Sequence, residues 1–489
     1  MVPKLDILPQ NIQLVVEENR QLLDVLREAG MILDAPCGGN GTCGKCRLTV
    51  NGTVVSACRT VVDRDMTVVL PKTAAHPILR EESSAAQLTN PFQAGYLLAF
   101  DIGTTSLVCF LLDGKTGAEL AKSSMLNPQR AFGADVITRI QAALQGKLEQ
   151  LTQLIRHAMT KLIEAVCDDA SIRPEEIGVV SVVGNPAMQQ LFLGIAPENL
   201  SKVPFEPVLT EAEVVSCEAF LPICAKAQLM IVPDLAGYIG ADTIGCLLAT
   251  GFSEKEEINL LVDIGTNGEL VLGNRHRMIA CATAAGPALE GANIRFGMRA
   301  AEGAIDHVWL ENGAVTYSVI GGGEATGICG SGLIDAIAVM LKLGLLNKRG
   351  RIQNPQRCFY LTESVFLSQD DVRQLQLAKG AVHAGICMMA AQLGIELEDI
   401  QKVRLAGAFG SYMNPDNACR IGLLPEQLRE KIEVVGNAAG SGAKMLACDR
   451  TLLAAAQTLS EEIEFLELAS LAQFPKTFAE AMHFREETV

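Results

Sequence analysis

Four cysteines, Cys37, Cys43, Cys46 and Cys58, fall within twenty-two residues of the stretch PCGGNGTCGKCRLTVNGTVVSACRT. Thiolates grouped in this way can do three kinds of chemistry. Four of them suit a tetrahedral zinc ion, although such zinc sites usually pair two short knuckles and only Cys43-x-x-Cys46 is one. Cys43 and Cys46 can work as a redox dithiol, which leaves Cys37 and Cys58 without a role. All four together can ligate a [2Fe–2S] cluster. Gly38, Gly39, Gly41 and Gly44 lie between and beside these thiols, where they let the backbone wrap closely and turn N–H groups toward sulfur.

A second set of reactive positions occurs twice. LLAFDIGTTSLVCFLLD occupies 97–113 and LLVDIGTNGELVLGN occupies 260–274. In each, an apolar strand ends on a carboxylate, Asp101 or Asp263, followed by the turn glycines Gly103 and Gly265. Thr104, Thr105, Thr266 and Asn267 then add hydroxyl or amide groups around one concavity. A nest of backbone N–H groups in such a turn binds phosphate. The carboxylates are placed to hold Mg²⁺ directly or through water, since Mg²⁺ keeps several waters and bridges substrate phosphates. Two copies in matching strand contexts point to duplicated halves that clamp a nucleotide from both sides. QKVRLAGAFGSYMNPDNACRIGLLP (401–425), with turns at Gly407 and Gly410, is the candidate to meet the adenosine. GICGSGLIDAIAVML (327–341) is a further glycine turn opening an apolar helix, suited either to a phosphate or to tight packing.

The elements that must position the thiols are short. NIQLVV is a β-rich run, and ENRQLLDVLREAG puts Leu22, Leu23, Leu26 and Ala29 on one helical face with Gly30 as its stop. RLTV and TVVSA flank Asn51-Gly52, the strongest short hairpin signal. A two-residue turn there sets Cys46 opposite Ala57, so Cys58 returns beside the first three cysteines.

Composition bounds the rest. The chain has 489 residues, 49% apolar and 20% charged, which describes a folded protein of several domains. Its net charge of −16 argues against nucleic-acid binding and against an anionic membrane surface. Asp6, Glu17, Glu18, Asp24 and Glu28 interrupt the N-terminal thirty residues, and no uncharged apolar run reaches spanning length. A cytoplasmic location is expected, in which the other cysteines, Cys109, Cys246, Cys281, Cys329 and Cys387 among them, are buried inert thiols. Residues 1–72 hold eight basic and eight acidic side chains, so the whole net charge lies beyond them. We expect a cluster module over 1–72, a linker over 73–95, a first α/β subdomain over 96–255 and a second over 256–489. The acidic tail 450–489 is helical in period and is expected to close on the second half.

These motifs carry a resemblance. The cysteine spacing C-x5-C-x2-C is similar to the ferredoxin loop, and the order strand, helix, loop, hairpin resembles the β-grasp ferredoxin fold, with only eleven residues before Cys58. The paired hairpins resemble the superfamily of acetate and sugar kinases, heat-shock chaperones and actin, which binds ATP between duplicated α/β domains. The whole chain, through VVGNPAMQQLFLGIAP, VPDLAGYIGADTIGCLLATG and AAGPALEGANIRFGMRAAEGAI, resembles the reductive activators of corrinoid proteins. It departs from the longer members in having almost no middle domain, and Gln190 stands where a histidine is expected. The resemblance implies a [2Fe–2S] cluster on the four cysteines, ATP and Mg²⁺ at the hairpins, and reduction of a Co(II) corrinoid to Co(I) in a methyltransferase system. It also implies a corrinoid protein partner and an upstream electron donor, and leaves a homodimer open as the assembly.

ATP has a physical reason to be there. Plant-type clusters sit near about −400 mV, basic neighbours such as Lys45, Arg47 and Arg59 raise the potential, and the resemblance places the corrinoid couple lower. Each 100 mV of deficit is worth roughly 2.3 kcal/mol, and a ligand shifts a two-state equilibrium by about 5.5 kcal/mol if it discriminates about 10⁴-fold. Three rivals stand beside this reading. A metabolite kinase would need a base and a use for the thiolates, and a chaperone-like ATPase would carry zinc. An ATP-gated electron donor would serve a non-corrinoid enzyme.

Overall fold

The computed structural model describes residues 3–29, 31, 33, 35, 37–41, 43–71, 88, 92, 94–265 and 267–485. Thr266, Gly30 and most of the expected linker 73–95 lie outside the described residues.

In the strand Lys4–Leu8 exposed and buried residues alternate, which puts Leu5 and Ile7 on one face. That strand pairs antiparallel with Ile12–Val15 and parallel with Met66–Val69, Leu5 opposite Met66. A parallel pair needs a crossover, and the helix Leu22–Glu28 lies on it, burying Leu22, Leu23, Val25 and Leu26. Their partners are Leu5, Ile7, Leu48 and Val68, and each fully buried leucine contributes roughly 1.5–3 kcal/mol. Ala29, expected on the same face, is instead the cap that ends the helix. Arg47–Val50 and Thr53–Ser56 complete a five-stranded sheet. This is the β-grasp ferredoxin-like arrangement expected for the N-terminal module.

Two six-stranded sheets follow, with a five-strand order in common. In the first, Tyr96–Ile102 forms a hairpin with Ser106–Asp113, extended by Glu119–Leu126 on one side. On its other side Ile177–Gly184 and Gln228–Ile231 run parallel to it. In the second, Asn259–Ile264 pairs with Gly268–Asn274 and then Arg277–Thr283, while Lys402–Ala406 and Ile432–Gly436 run parallel on the far side. A long helix covers each sheet, Leu148–Ala170 in the first half and Gln369–Leu393 in the second. The duplicated α/β core of the actin-like class is therefore present.

The halves meet through two helices, Ala241–Thr250 and Ala438–Cys448. Glycine permits the contact: a Cβ on Gly442 would come within 2.1 Å of the Gly245 carbonyl oxygen. Around that crossing a shared core joins Val183, Ile244 and Leu446 to Leu261 and Val271. The tail closes on the second half only in part: in its first helix, Leu452–Glu462, Gln457 accepts from the Ala212 amide at 2.6 Å and donates to Thr210 O at 3.1 Å in the first half, and the remainder packs on the second half. Glu464–Phe465 adds an edge strand beside Arg277–Thr283, and the buried Lys379 ammonium donates to the carbonyls of Ala481 and His483. Among the described residues no helix is long and apolar enough to cross a membrane.

Candidate cluster loop and nucleotide cleft

The hairpin has the register expected from its turn. Asn51 and Gly52 both take positive φ, 48° and 83°, as a type I′ turn requires. Arg47 then faces Ser56, and the Ala57 amide donates to the Cys46 carbonyl at 2.9 Å. Cys58 follows in the short turn Ala57–Arg59. The four thiols resolve into two pairs, with Cys37 and Cys43 sulfurs 3.2 Å apart and Cys46 and Cys58 sulfurs 3.3 Å apart. Burial and the neighbouring Cys46 push the Cys58 thiol up to about 11, and burial also raises Cys43. A metal must therefore displace their protons to bind.

Two pairs fit a two-iron cluster, one pair to each iron. The loop is braced from outside. Arg59 donates to the Gly41 carbonyl at 2.7 Å, and Arg27, nearly buried, donates to the Gly38 carbonyl at 3.1 Å. Arg27 also donates to Ala131 O and stacks over the Phe132 ring at 5.0 Å, which anchors the module on the first half.

Both aspartates end their strands facing a cavity of about 1270 Å³. Asp101, Gly103, Thr104 and Thr105 line it from the first half, and Asp263, Gly265, Asn267 and Gly407 from the second. The first hairpin loop is tied down from behind: Asn127 donates to Gly103 O at 2.9 Å and Arg139 to Thr104 O. The Gly103 amide is taken inside the turn by Ser106 O at 2.9 Å, so a phosphate is left the turn's remaining donors. The two copies differ by one residue in length, Ile102 facing Leu107 but Ile264 facing Gly268. Gly407 has φ +83°, and a Cβ there would lie 2.4 Å from Asp263 Oδ1, so the carboxylate itself demands glycine. Gly410, expected beside it, does not line the cavity and packs on Leu405. Cys329, Gly330 and Ser331 line the wall, and Gly330 also answers a packing demand, since its Cβ would meet Leu289 O at 1.8 Å.

The structure adds carboxylates that sequence reasoning missed. Asp242 and Glu269 join Asp101 and Asp263 in the cavity lining. Burial raises Asp101 and Asp263 to about 6, and burial with the Asp263 charge raises Asp242 to about 7. Glu269 is pushed well above the usual range by burial and the three aspartates. Its signal was available, because Glu269 sits directly opposite Asp263 in the hairpin. Two asparagines were missed as well. Asn185 donates to Thr104 Oγ1 at 3.0 Å and Asn437 to Asp101 Oδ2 at 2.9 Å. Both follow the same three letters, Val182-Val183-Gly184 and Val434-Val435-Gly436, and both cap a helix with the side-chain oxygen. Glu290 closes the set, accepting from Thr105 Oγ1 at 2.7 Å across the cleft.

Comparison with known proteins agrees with this geometry. Residues 5–69 match the 2Fe-2S iron-sulfur cluster binding domain, 96–255 the RACo middle region, and 257–489 the C-terminal ASKHA domain of RACo. The expectation of almost no middle domain is thereby corrected: the family's middle region is the first α/β half itself. The chain is 37% identical to the corrinoid activation enzyme RamQ of Eubacterium limosum over 78% of this chain and 69% of that protein. It is 28% identical to a [Co(II) methylated amine-specific corrinoid protein] reductase of Methanosarcina barkeri, over 73% and 71%. A solved reductive activator for corrinoid, iron-sulfur protein superposes with a TM-score of 0.72 at 28% identity, covering 99% of this chain and 98% of that one. With both its thiol pairs and its two aspartate hairpins in place, the chain belongs to the RACo family of reductive activators of corrinoid proteins.

Proposed function

We propose that this chain uses ATP to drive one electron from a [2Fe–2S] cluster onto the Co(II) corrinoid of a methyltransferase system, restoring Co(I). One observation carries the reading: Cys43 of the cluster loop lines the same cavity as Asp101 and Asp263. A nucleotide site and an electron donor that share one cavity can be coupled mechanically, because whatever moves the halves also moves the loop.

The four cysteines Cys37, Cys43, Cys46 and Cys58 hold the cluster, which supplies a low-potential one-electron donor when bound. Asp101 and Asp263 would hold Mg²⁺, which would neutralise phosphate charge, and would orient the attacking water, since phosphoryl transfer to water needs positioning and electrostatics and no covalent nucleophile. Gly103, Thr104, Thr105, Gly265 and Asn267 receive the phosphates, and Thr266, expected to join them, lies outside the described residues. Gly407 keeps the cleft open beside Asp263. Closing of the halves about the Gly245–Gly442 crossing changes the surface offered to the corrinoid protein, and hydrolysis releases it. An upstream donor is the expected source of the electron, and the cytoplasm is the expected location. A homodimer stays one expected assembly, and the boundaries 1–72, 73–95, 96–255 and 256–489 serve as the working division.

The test is anaerobic purification, a visible spectrum, and mixing with a Co(II) corrinoid protein with and without ATP. Loss of the Co(II) spectrum only when ATP is present is the expected result. Steady turnover without ATP would end the coupling, and zinc in place of iron and sulfide would end the electron donor.

A further inference from the structure

The cluster loop touches both halves of the clamp. Arg27 and Gly38 meet the first half at Ala131 and Phe132, where a Cβ on Gly38 would lie 3.1 Å from the Phe132 oxygen. Lys45, between the cysteines Cys43 and Cys46, meets the second half. Its ammonium donates to the carbonyls of Gly291 and Gly297, at 3.4 and 3.3 Å. Both contacts are long for an N–H···O bond, so these carbonyls hold the ammonium loosely. Gly291 is the neighbour of Glu290, and Glu290 accepts from Thr105 in the first aspartate hairpin. Lys45 thus stands one residue from the carboxylate that closes on the phosphate loop, and it lines the same cavity.

We propose that Lys45 is a phosphate-binding residue of the nucleotide cleft, contributed by the cluster module, so that this module forms one wall of the ATP site. The proposal rests on reading the cleft as a nucleotide site. The charges argue for it. A triphosphate entering beside Thr105 brings negative charge against Glu290, Asp101 and Asp263, and cations must meet it. Arg130 and Arg299 line the cavity from the halves, while Lys45 and Arg47 come from the module. A phosphate offers the Lys45 ammonium a full opposite charge that a carbonyl dipole lacks, so it competes with the distant Gly291 and Gly297 carbonyls for this side chain. Because Lys45 shares its loop with two cysteines of the thiol set, nucleotide binding and the position of that loop become one equilibrium.

The experiment titrates the cluster-loaded, full-length protein with Mg²⁺ and the non-hydrolysable analogue AMPPNP by calorimetry. Lys45→Ala should weaken binding by about ten- to a hundredfold, the loss of one charge-assisted hydrogen bond, with Lys45→Arg recovering most of it. An unchanged Kd in a Lys45→Ala protein with a full visible spectrum overturns the proposal. A substitution between two cysteines can also cost cluster assembly, so a second measurement uses the unaltered chain. AMPPNP should protect Lys45 from an amine-directed acylating reagent, read by peptide mass spectrometry, while the exposed Lys476 labels equally in both samples. Equal labelling of Lys45 with and without the analogue overturns the proposal. Failure of the wild-type chain to bind AMPPNP at all would instead refute the nucleotide reading beneath it.

Discussion

Asn437 donates its side-chain amide to Asp101 Oδ2 at 2.9 Å, although 336 residues separate them. The bond crosses from one half of the clamp to the other and holds the first carboxylate in place. Burial raises Asp101 to about 6, while this hydrogen bond and the Lys122 charge pull it down. Removing the amide removes one restraint on the pKa and one on the orientation. Asn437→Ala should therefore move the acidic limb of the ATPase pH profile to higher pH and lower kcat even on the plateau. The measurement is kcat/KM for ATP between pH 5 and 8. A profile superposable on the wild type would show that the bond has no part in the cleft.

The cluster and the hydrolytic site should separate by mutation. Asp101→Ala or Asp263→Ala should reduce ATP hydrolysis by at least about 10²-fold, the scale for losing one preorganised electrostatic group, while leaving the visible spectrum intact. Cys58→Ala should do the reverse, because Cys58 is one member of the Cys46–Cys58 pair and lies outside the cavity lining. A full-strength spectrum in Cys58→Ala would refute the pairing of sulfurs described above.

Two glycines three residues apart should respond differently to the same change. A methyl at Gly407 meets the Asp263 carboxylate at 2.4 Å and imposes φ +83° on a residue with a Cβ. Gly407→Ala should abolish nucleotide binding and hydrolysis together. At Gly410 the obstacle is Leu405, 2.9 Å away. Gly410→Ala should lower the melting temperature by a few degrees, about 1–3 kcal/mol of overpacking, and leave the Kd for nucleotide within about twofold. Calorimetry and a thermal melt on the two proteins decide between the roles.

That contrast also marks how far the sequence could be read. Asn51-Gly52 set the hairpin register, and with it the return of Cys58, because a two-residue turn leaves no freedom in the pairing. The two aspartate hairpins were legible for a similar reason, since each is local. Glu269 is equally local, directly opposite Asp263 in the hairpin, but a single glutamate in an apolar strand carries no spacing signal of its own. Asn437, Glu290 and Asp242 were hidden by distance along the chain. Each reaches the cleft only when strands from opposite halves come together, which no periodicity within one segment reports. Gly407 and Gly410 looked alike in sequence because a small offset along a helical turn decides which one faces the carboxylate.

Asp242 gives the fold a pH dependence of calculable sign. Its carboxyl is raised to about 7 by burial and then by the Asp263 charge, while Asp242 Oδ1 accepts from the Thr243 amide at 2.8 Å. An unfolded aspartate titrates near about 4. The folded state therefore binds this proton more tightly, and stability is lost as pH rises through the window from about 4 to about 7. Asp242→Asn keeps the side-chain oxygen that Thr243 needs and removes the charge. The variant should thus melt higher than the wild type at pH 8, with the difference shrinking toward zero as pH falls to about 4. Comparing the two proteins cancels the opposite trend of His383, whose depressed value of about 4 destabilises the fold in acid. Excess Mg²⁺ with AMPPNP should shrink the gap at pH 8, since the cation compensates the crowded carboxylates. Thermal melts across pH, with and without Mg²⁺ and the analogue, test this directly: a wild-type protein that melts at or above the variant at pH 8 without ligand would mean the four carboxylates do not repel one another in the empty cleft.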